Sequence, residues 1–398
     1  MRLLRPVRRF RGPGTALQGA GQGCGGDHVR PPPRRQAPID CLLLGATLTL
    51  LVLGVVMVYS ASVIWAEQNL GRPLYFFHRQ ILWAAISLAG MAAAARTDYN
   101  RLREWLFPIF VVTCLLLAAA LFGPKIAGVR RWIRLGPIGL QPAEFAKLSS
   151  ILFLASYLDR KHSKLASPVH GLIIPLGVVG VLLVLIGLEP DLGTPMLMFT
   201  VAGLLLFVAG AKVQWILAAG LAASPIVCYE LLKYPYRRAR VLSFLAPFEN
   251  IRGVGYQLSQ SLLAVGSGGW AGKGFGASQL KLMYLPTPHT DFIFPVVCEE
   301  LGLIGALAIL GLFATLLVRG VRAARRAPNL FGSLLACGVT FTICLQAFFN
   351  MAMSLGLLPT KGIPLPFFSF GGSSLLSTLI GVGILLNISR QGLAEPLH

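Results

Sequence analysis

Charge is scarce in this sequence. Only 13% of its 398 residues are Asp, Glu, Lys or Arg, and acids number 15 against 35 bases. A soluble domain carries roughly a quarter, so an ordinary water-exposed fold is excluded. The seven cysteines, Cys24, Cys41, Cys114, Cys228, Cys298, Cys337 and Cys344, lack the spacing of a metal cage or a disulfide framework and read as packing residues. The first 35 residues lack the apolar stretch and small-residue cleavage site of a secretory signal; rich in Arg, Pro and Gly, they read as a disordered tail. The glycine-rich "GSGGWAGKGFGASQ" has no preceding strand and no Gly-Lys-Ser/Thr, which argues against a nucleotide-phosphate loop.

What is present is apolar: 55% hydrophobic residues and a mean hydropathy of +0.70. About 20 consecutive apolar residues cross the hydrocarbon core as a helix, because the backbone must satisfy its own polar groups there. Such segments lie near 41–61, 79–95, 105–122, 142–158, 168–188, 192–210, 214–232, 292–318, 330–355 and 371–389. The expected architecture is an all-α polytopic membrane protein of about ten transmembrane helices, with a large external loop between helices 7 and 8. Residues 1–40 form a basic cytoplasmic tail, 41–392 the membrane domain including the 233–291 loop, and 393–398 a cytoplasmic end.

Lys and Arg flanks stay on the cytoplasmic side. "RPPPRR", "RTDYNRLRE", "DRKHSK" and "VRGVRAARRAP" then share that side, with both termini. This topology explains much of the +20 net charge and makes nucleic-acid binding a poor reading. It leaves a remainder outside: Lys125, Arg130, Arg131 and Arg134 in one loop, and Arg237, Arg238, Arg240, Arg252, Lys273 and Lys281 in another. Bases concentrated against the insertion rule suggest an anionic partner at the outer face, a lipid phosphate or pyrophosphate, with ordinary membrane lipid headgroups as the bland alternative.

Carboxylates in or beside spans are costly and need a partner or a wet cavity. Glu144 and Lys147 share a helix face, which also suits a structural ion pair. Asp191, after Glu189 in "GLEPDLGTP", suits a helix cap as well. Glu299 and Glu300 sit two to three turns beyond Asp291, and one of them is expected only to bridge helices. Asp291 differs: it stands at the outer end of its span, preceded by His289 and Thr290 and beside the long basic loop. Burial would raise its pKa towards that of a general base, and the arginines would lower it. A carboxylate base facing a phosphate-binding surface suits glycosyl transfer from a lipid pyrophosphate donor. Lys, Arg or a divalent cation (Mg or Mn) would stabilise the leaving pyrophosphate.

"HTDFIF...EELG" at His289 to Gly302, "LGPIGLQPAEFAKL" at Leu135 to Leu148, "EPDLGT" at Glu189 to Thr194 and "LGLLPTKGIPLPFFSFGGSSL" at Leu355 to Leu375 resemble the SEDS family (shape, elongation, division and sporulation). The resemblance covers 41–392 with the motifs in family order. It implies a ten-helix fold and a peptidoglycan glycosyltransferase that polymerises lipid II in the bacterial cytoplasmic membrane. "VMVYSAS", "YRRARVLSF" and Thr360-Lys361 are similar to the family's division type, which places it at the septum; the elongation type is the alternative. By motif match Asp291 takes the catalytic position, Glu144 and Lys147 the cavity acid and lysine, and Asp191 and Ser373 polar positions near them. With Thr290, Arg130, Arg131, Arg237, Arg238 and Lys273 these make the expected substrate site. Thr287, Pro295 and Phe370 depart from the family's usual Glu, Ala and Tyr, and Pro295 in a first turn should not break its helix. A class B penicillin-binding protein transpeptidase and other division membrane proteins are the implied partners. A lipid II flippase and a non-catalytic division scaffold are the competing functions.

Overall fold

The computed structural model describes residues 38–124, 129–135, 138–248, 255–280 and 290–394. The tail expected over 1–40 falls mostly outside these residues, as do Lys125, Arg252, Lys281, Thr287 and His289. Twelve α-helices carry the chain: α1 (Cys41–Leu70), α2 (Tyr75–Arg96), α3 (Leu106–Leu121), α4 (Pro142–Arg160), α5 (Ile174–Leu188), α6 (Gly193–Val208), α7 (Val213–Lys233), α8 (Pro235–Leu245), α9 (Tyr256–Ser267), α10 (Ile293–Arg326), α11 (Leu330–Ser354) and α12 (Gly372–Ala394). Ten of them fall on the ten apolar segments; α8 and α9 lie in the long connection. Among the described residues six, with α5 counted together with the π-helical turn Val169–Ile173 before it, are long and apolar enough to cross a membrane, and α3 and α6 are shorter apolar helices.

The ends differ from the sequence reading where helices outrun their apolar runs. Helix α1 continues past residue 61 to Leu70, where Gly71 closes it in the left-handed conformation (φ 62°). Its other end is capped by Asp40, whose carboxylate accepts from the Leu43 N–H at 3.1 Å. Arg319 of α10 donates to both oxygens of Asp40 (Nε to Oδ1 at 3.0 Å, Nη2 to Oδ2 at 2.6 Å), tying the two helices where hydropathy ends. Helix α10 runs on to Arg326; Pro295 in its first turn does not interrupt it, and its one non-helical residue is Gly302.

Helix α12 is central, packed on α2, α4, α10 and α11. Small residues make its approach to α2 close: a Cβ on Gly383 would stand 2.4 Å from the Met91 carbonyl, and one on Gly372 would enter the Trp83 ring. At the opposite extreme no residue of α7 is buried. Helix α9 packs onto α10 and α11, with Ser261 donating to the Ser354 carbonyl at 2.6 Å. A hairpin of β1 (Ile133–Leu135) and β2 (Ile138–Leu140), antiparallel with Arg134 opposite Gly139, links α3 to α4.

Candidate active site

The α3–α4, α5–α6, α7–α10 and α11–α12 connections meet around one cavity of about 960 Å³. Asp291 reaches it from the turn just before α10, partly exposed, with Thr290 beside it. Its carbonyl accepts from the Asn350 amide at 2.8 Å. The α11–α12 loop crosses so close that a Cβ on Gly362 would lie 3.1 Å from Asp291 Oδ2, a contact glycine avoids. Burial pushes the Asp291 carboxyl up to about 6; Arg131 and Arg240 pull it down and Asp191 pushes it further up. The sign left open by the sequence is thus upward, because desolvation exceeds the effect of the two guanidinium groups.

Asp191 lines the same cavity and is also a cap, accepting from the Gly193 N–H (2.9 Å) and the Thr194 hydroxyl (2.9 Å) at the start of α6. Glu144 lines it from α4. Lys147 does not; its Nζ lies 2.8 Å from Glu144 Oε2 and donates to Gln346 Oε1 at 2.6 Å, which makes a buried, satisfied ion pair. Ser373 does not line the cavity; it accepts from the Gln141 N–H at 3.0 Å and so fixes the start of α4 to α12. Phe370 faces the cavity and packs edge-on against Phe76, so the departure from Tyr is filled by an aromatic contact.

The basic residues divide. Arg131 and Arg237 line the cavity, whereas Arg130, Arg238 and Lys273 do not. Arg130 is exposed and donates to the Leu121 carbonyl at 3.2 Å. Lys273 lies 2.8 Å from Glu299. Buried Arg237 pairs with Glu230 at 2.7 Å and donates to the Pro190 carbonyl at 3.3 Å. Two cavity cations were absent from the expected substrate site. Arg240 is one: α8 is a helix, so Arg237 and Arg240, three apart, share a face while Arg238 turns out to the exposed side. Lys361 is the other, half-buried, its Nζ against Met196 Sδ; burial lowers its pKa, Arg237 lowers it too, and Asp191 raises it. The i, i+3 spacing in "YRRAR" was a readable signal for the first. Only the "LLPTKG" motif hinted at the second.

Among the described residues no three His, Cys, Asp or Glu side chains converge as a resident metal would require. The cavity instead offers the desolvated Asp291 carboxylate beside Arg131 and Arg240, with Lys361 in the same lining near Asp191 and apolar walls from Trp132, Met196, Phe349 and Phe370. Such a site can take a proton from a hydroxyl and hold an anion next to it.

Comparison with known proteins agrees in extent. The FtsW/RodA/SpoVE model, described as cell cycle protein, matches residues 41–393. The chain is 41% identical to the probable peptidoglycan glycosyltransferase FtsW of Trichlorobacter lovleyi, over 92% of this chain and 97% of that one. It is 42% identical to the stage V sporulation protein E of Bacillus subtilis, over 88% and 97%. A chain from a peptidoglycan synthase complex that coordinates polymerization and crosslinking superposes with a TM-score of 0.72 at 28% identity, over 89% of this chain and 98% of that one. The rod shape determining protein RodA of Thermus thermophilus gives 0.66 at 27%, over 89% and 97%. A family match over 41–393, relatives above 40% identical over nearly their whole length, and six helices among the described residues long and apolar enough to cross a membrane make this multi-pass membrane protein a member of the FtsW/RodA/SpoVE family.

Proposed function

We propose that the protein is a peptidoglycan glycosyltransferase of the FtsW type that polymerises lipid II at the outer face of the bacterial cytoplasmic membrane during septal wall synthesis. The observation that carries this reading is Asp291, half-buried in a cavity shared with Arg131, Arg240 and Lys361.

Asp291 removes the proton from the C4 hydroxyl of the incoming lipid II sugar. The oxygen attacks the anomeric carbon of the lipid-linked donor, the bond to pyrophosphate breaks, and the configuration inverts. The lipid pyrophosphate leaves as a stable anion, so one carboxylate suffices, and the developing charge falls to the cavity's guanidinium and ammonium groups. A carboxyl held near 6 is mostly ionised at neutral pH yet more basic than an ordinary aspartate, which is the compromise a general base needs. Glu144 and Asp191 line the walls, the first neutralised by Lys147 and the second engaged as a cap.

Orientation follows charge: Arg96 to Arg103, Arg160 to Lys164 and Arg319 to Arg326 lie at the end of the bundle away from the cavity, so that end and both termini face the cytoplasm. Likeness to a synthase complex of polymerization and crosslinking supports a class B penicillin-binding protein as partner. Division rather than elongation is favoured by the FtsW relatives at 41% identity against 27% for RodA. The test is purified protein with that partner, its transpeptidase blocked, and fluorescent lipid II. Long glycan strands are expected, and lipid II left monomeric would contradict the reading.

A further inference from the structure

Two stretches without regular structure carry the reactive groups: the turn at 290–292 with Asp291 and the 355–371 loop with Lys361. Neither can pair its carbonyls within a helix, and a buried carbonyl left unpaired is costly. Side chains from outside the cavity take them instead. Buried Asn350 of α11 donates one amide hydrogen to the Asp291 carbonyl at 2.8 Å and the other to the Ile363 carbonyl at 2.7 Å. Ser369 donates to the Thr290 carbonyl at 2.7 Å while accepting from the Leu365 N–H at 2.7 Å. One turn before Asn350, Gln346 donates to the Pro364 carbonyl at 2.9 Å and accepts from Lys147. The buried Glu144–Lys147 pair thereby anchors the same loop.

Asn350 is used for its donors alone: Oδ1 is buried and has no hydrogen-bond partner. Only a planar amide offers two donors from one short side chain, and the isosteric carboxylate offers none. We infer that Asn350 is a positioning residue for glycosyl transfer, clamping the Asp291 turn to the Lys361 loop so that the carboxylate and the ammonium keep one register across the cavity. This rests on the reading of Asp291 as the base. Asp291 is also faced by Arg131 from the hairpin, Arg240 from α8 and Asp191 from the α5–α6 turn, and a loosened turn would admit water among these groups.

The experiment compares wild type with Asn350→Ala, Asn350→Asp and Asn350→Gln, each purified with the partner transpeptidase and supplied with fluorescent lipid II. Asn350→Ala and Asn350→Asp should lower kcat ten- to a hundredfold with KM within about twofold of wild type. In Asn350→Ala the acid limb of the pH profile should move below 6 as Asp291 gains water. Asn350→Gln, which keeps two donors, should recover part of both effects. Ser369→Ala, which frees only the Thr290 carbonyl, should show a smaller change of the same kind and serves if the Asn350 variants do not fold. Wild-type kcat in Asn350→Ala, or a lower kcat with the acid limb unmoved, overturns the clamp. Asp291→Asn in the same assay separates the two claims: an active Asp291→Asn protein refutes the base and the clamp together, whereas an inactive one beside a normal Asn350→Ala refutes the clamp alone.

Discussion

Lys273 Nζ stands 2.8 Å from Glu299 Oε1, and around that contact the glycine-rich segment is fastened to the break in α10. The same carboxylate accepts from the Ser278 hydroxyl at 2.6 Å and the Gln279 N–H at 3.1 Å. Gly302 breaks the helix (φ 66°, ψ −166°), and the Glu299 and Glu300 carbonyls accept from the Lys273 and Gly274 N–H groups instead. Glu300 faces the other way and accepts the Ser60 hydroxyl of α1 at 2.7 Å. Glu299 thus fastens the glycine-rich segment to α10, and Glu300 ties α10 to α1.

That packing makes neighbouring glycines unequal. Gly272 and Gly274 both have positive φ, but a Cβ on Gly272 would lie 2.1 Å from the Glu300 carbonyl whereas one on Gly274 meets nothing within 4 Å. Gly272→Ala should destabilise by about 3 kcal/mol, and Gly274→Ala by only about 1 kcal/mol from backbone strain. Thermal unfolding in detergent reads the difference, and equal shifts would refute the close docking.

Glu189 supplies a stability prediction. It is fully buried, neither carboxylate oxygen has a hydrogen-bond partner, and burial followed by Asp191 pushes it up to about 8 despite Arg131. Its folded value exceeds its unfolded one, so the native state holds the proton more tightly and stability falls as pH rises from 4.5 through about 8. Glu189→Gln removes this loss. It should exceed wild type at pH 9 by about 2–4 kcal/mol and lose that advantage by about pH 5. Melting curves across this range check it; parallel curves would contradict it.

The face of α8 predicts which arginine matters. Arg240→Ala removes a cavity cation and should raise KM for lipid II about tenfold, whereas exposed Arg238→Ala should change it less than about twofold. Initial rates at graded lipid II concentrations decide, and a larger effect at Arg238 would reverse the assignment.

Activity should also fall in acid. Asp291 works ionised and its carboxyl is held near 6, so kcat/KM should decline about tenfold per unit below that value. Rates measured with the free enzyme from pH 4.5 to 8 test this, and a profile flat to pH 5 would contradict it.

The ten helices were legible because hydrocarbon admits few alternatives to long apolar helices. Asp291, Asp191, Glu144, Arg131, Arg237 and Thr290 stood out as polar residues at helix ends, and all line one cavity. What escaped notice depends on tertiary placement. Lys361 sits in a loop whose path is set by Gln346, Asn350 and Ser369, and nothing in an apolar helix such as α11 announces which distant carbonyl its amides will meet. The break in α10 was also hidden, since glycine is common in apolar helices and nothing around Gly302 in the sequence shows that the glycine-rich segment docks there.

The most direct test is lipid II polymerisation by wild type and Asp291→Ala, each folded, purified and paired with a partner that lacks its own glycosyltransferase and has its transpeptidase blocked. Polymer from wild type and none from Asp291→Ala is the predicted result. Equal polymer from both would contradict the placement of the base at Asp291.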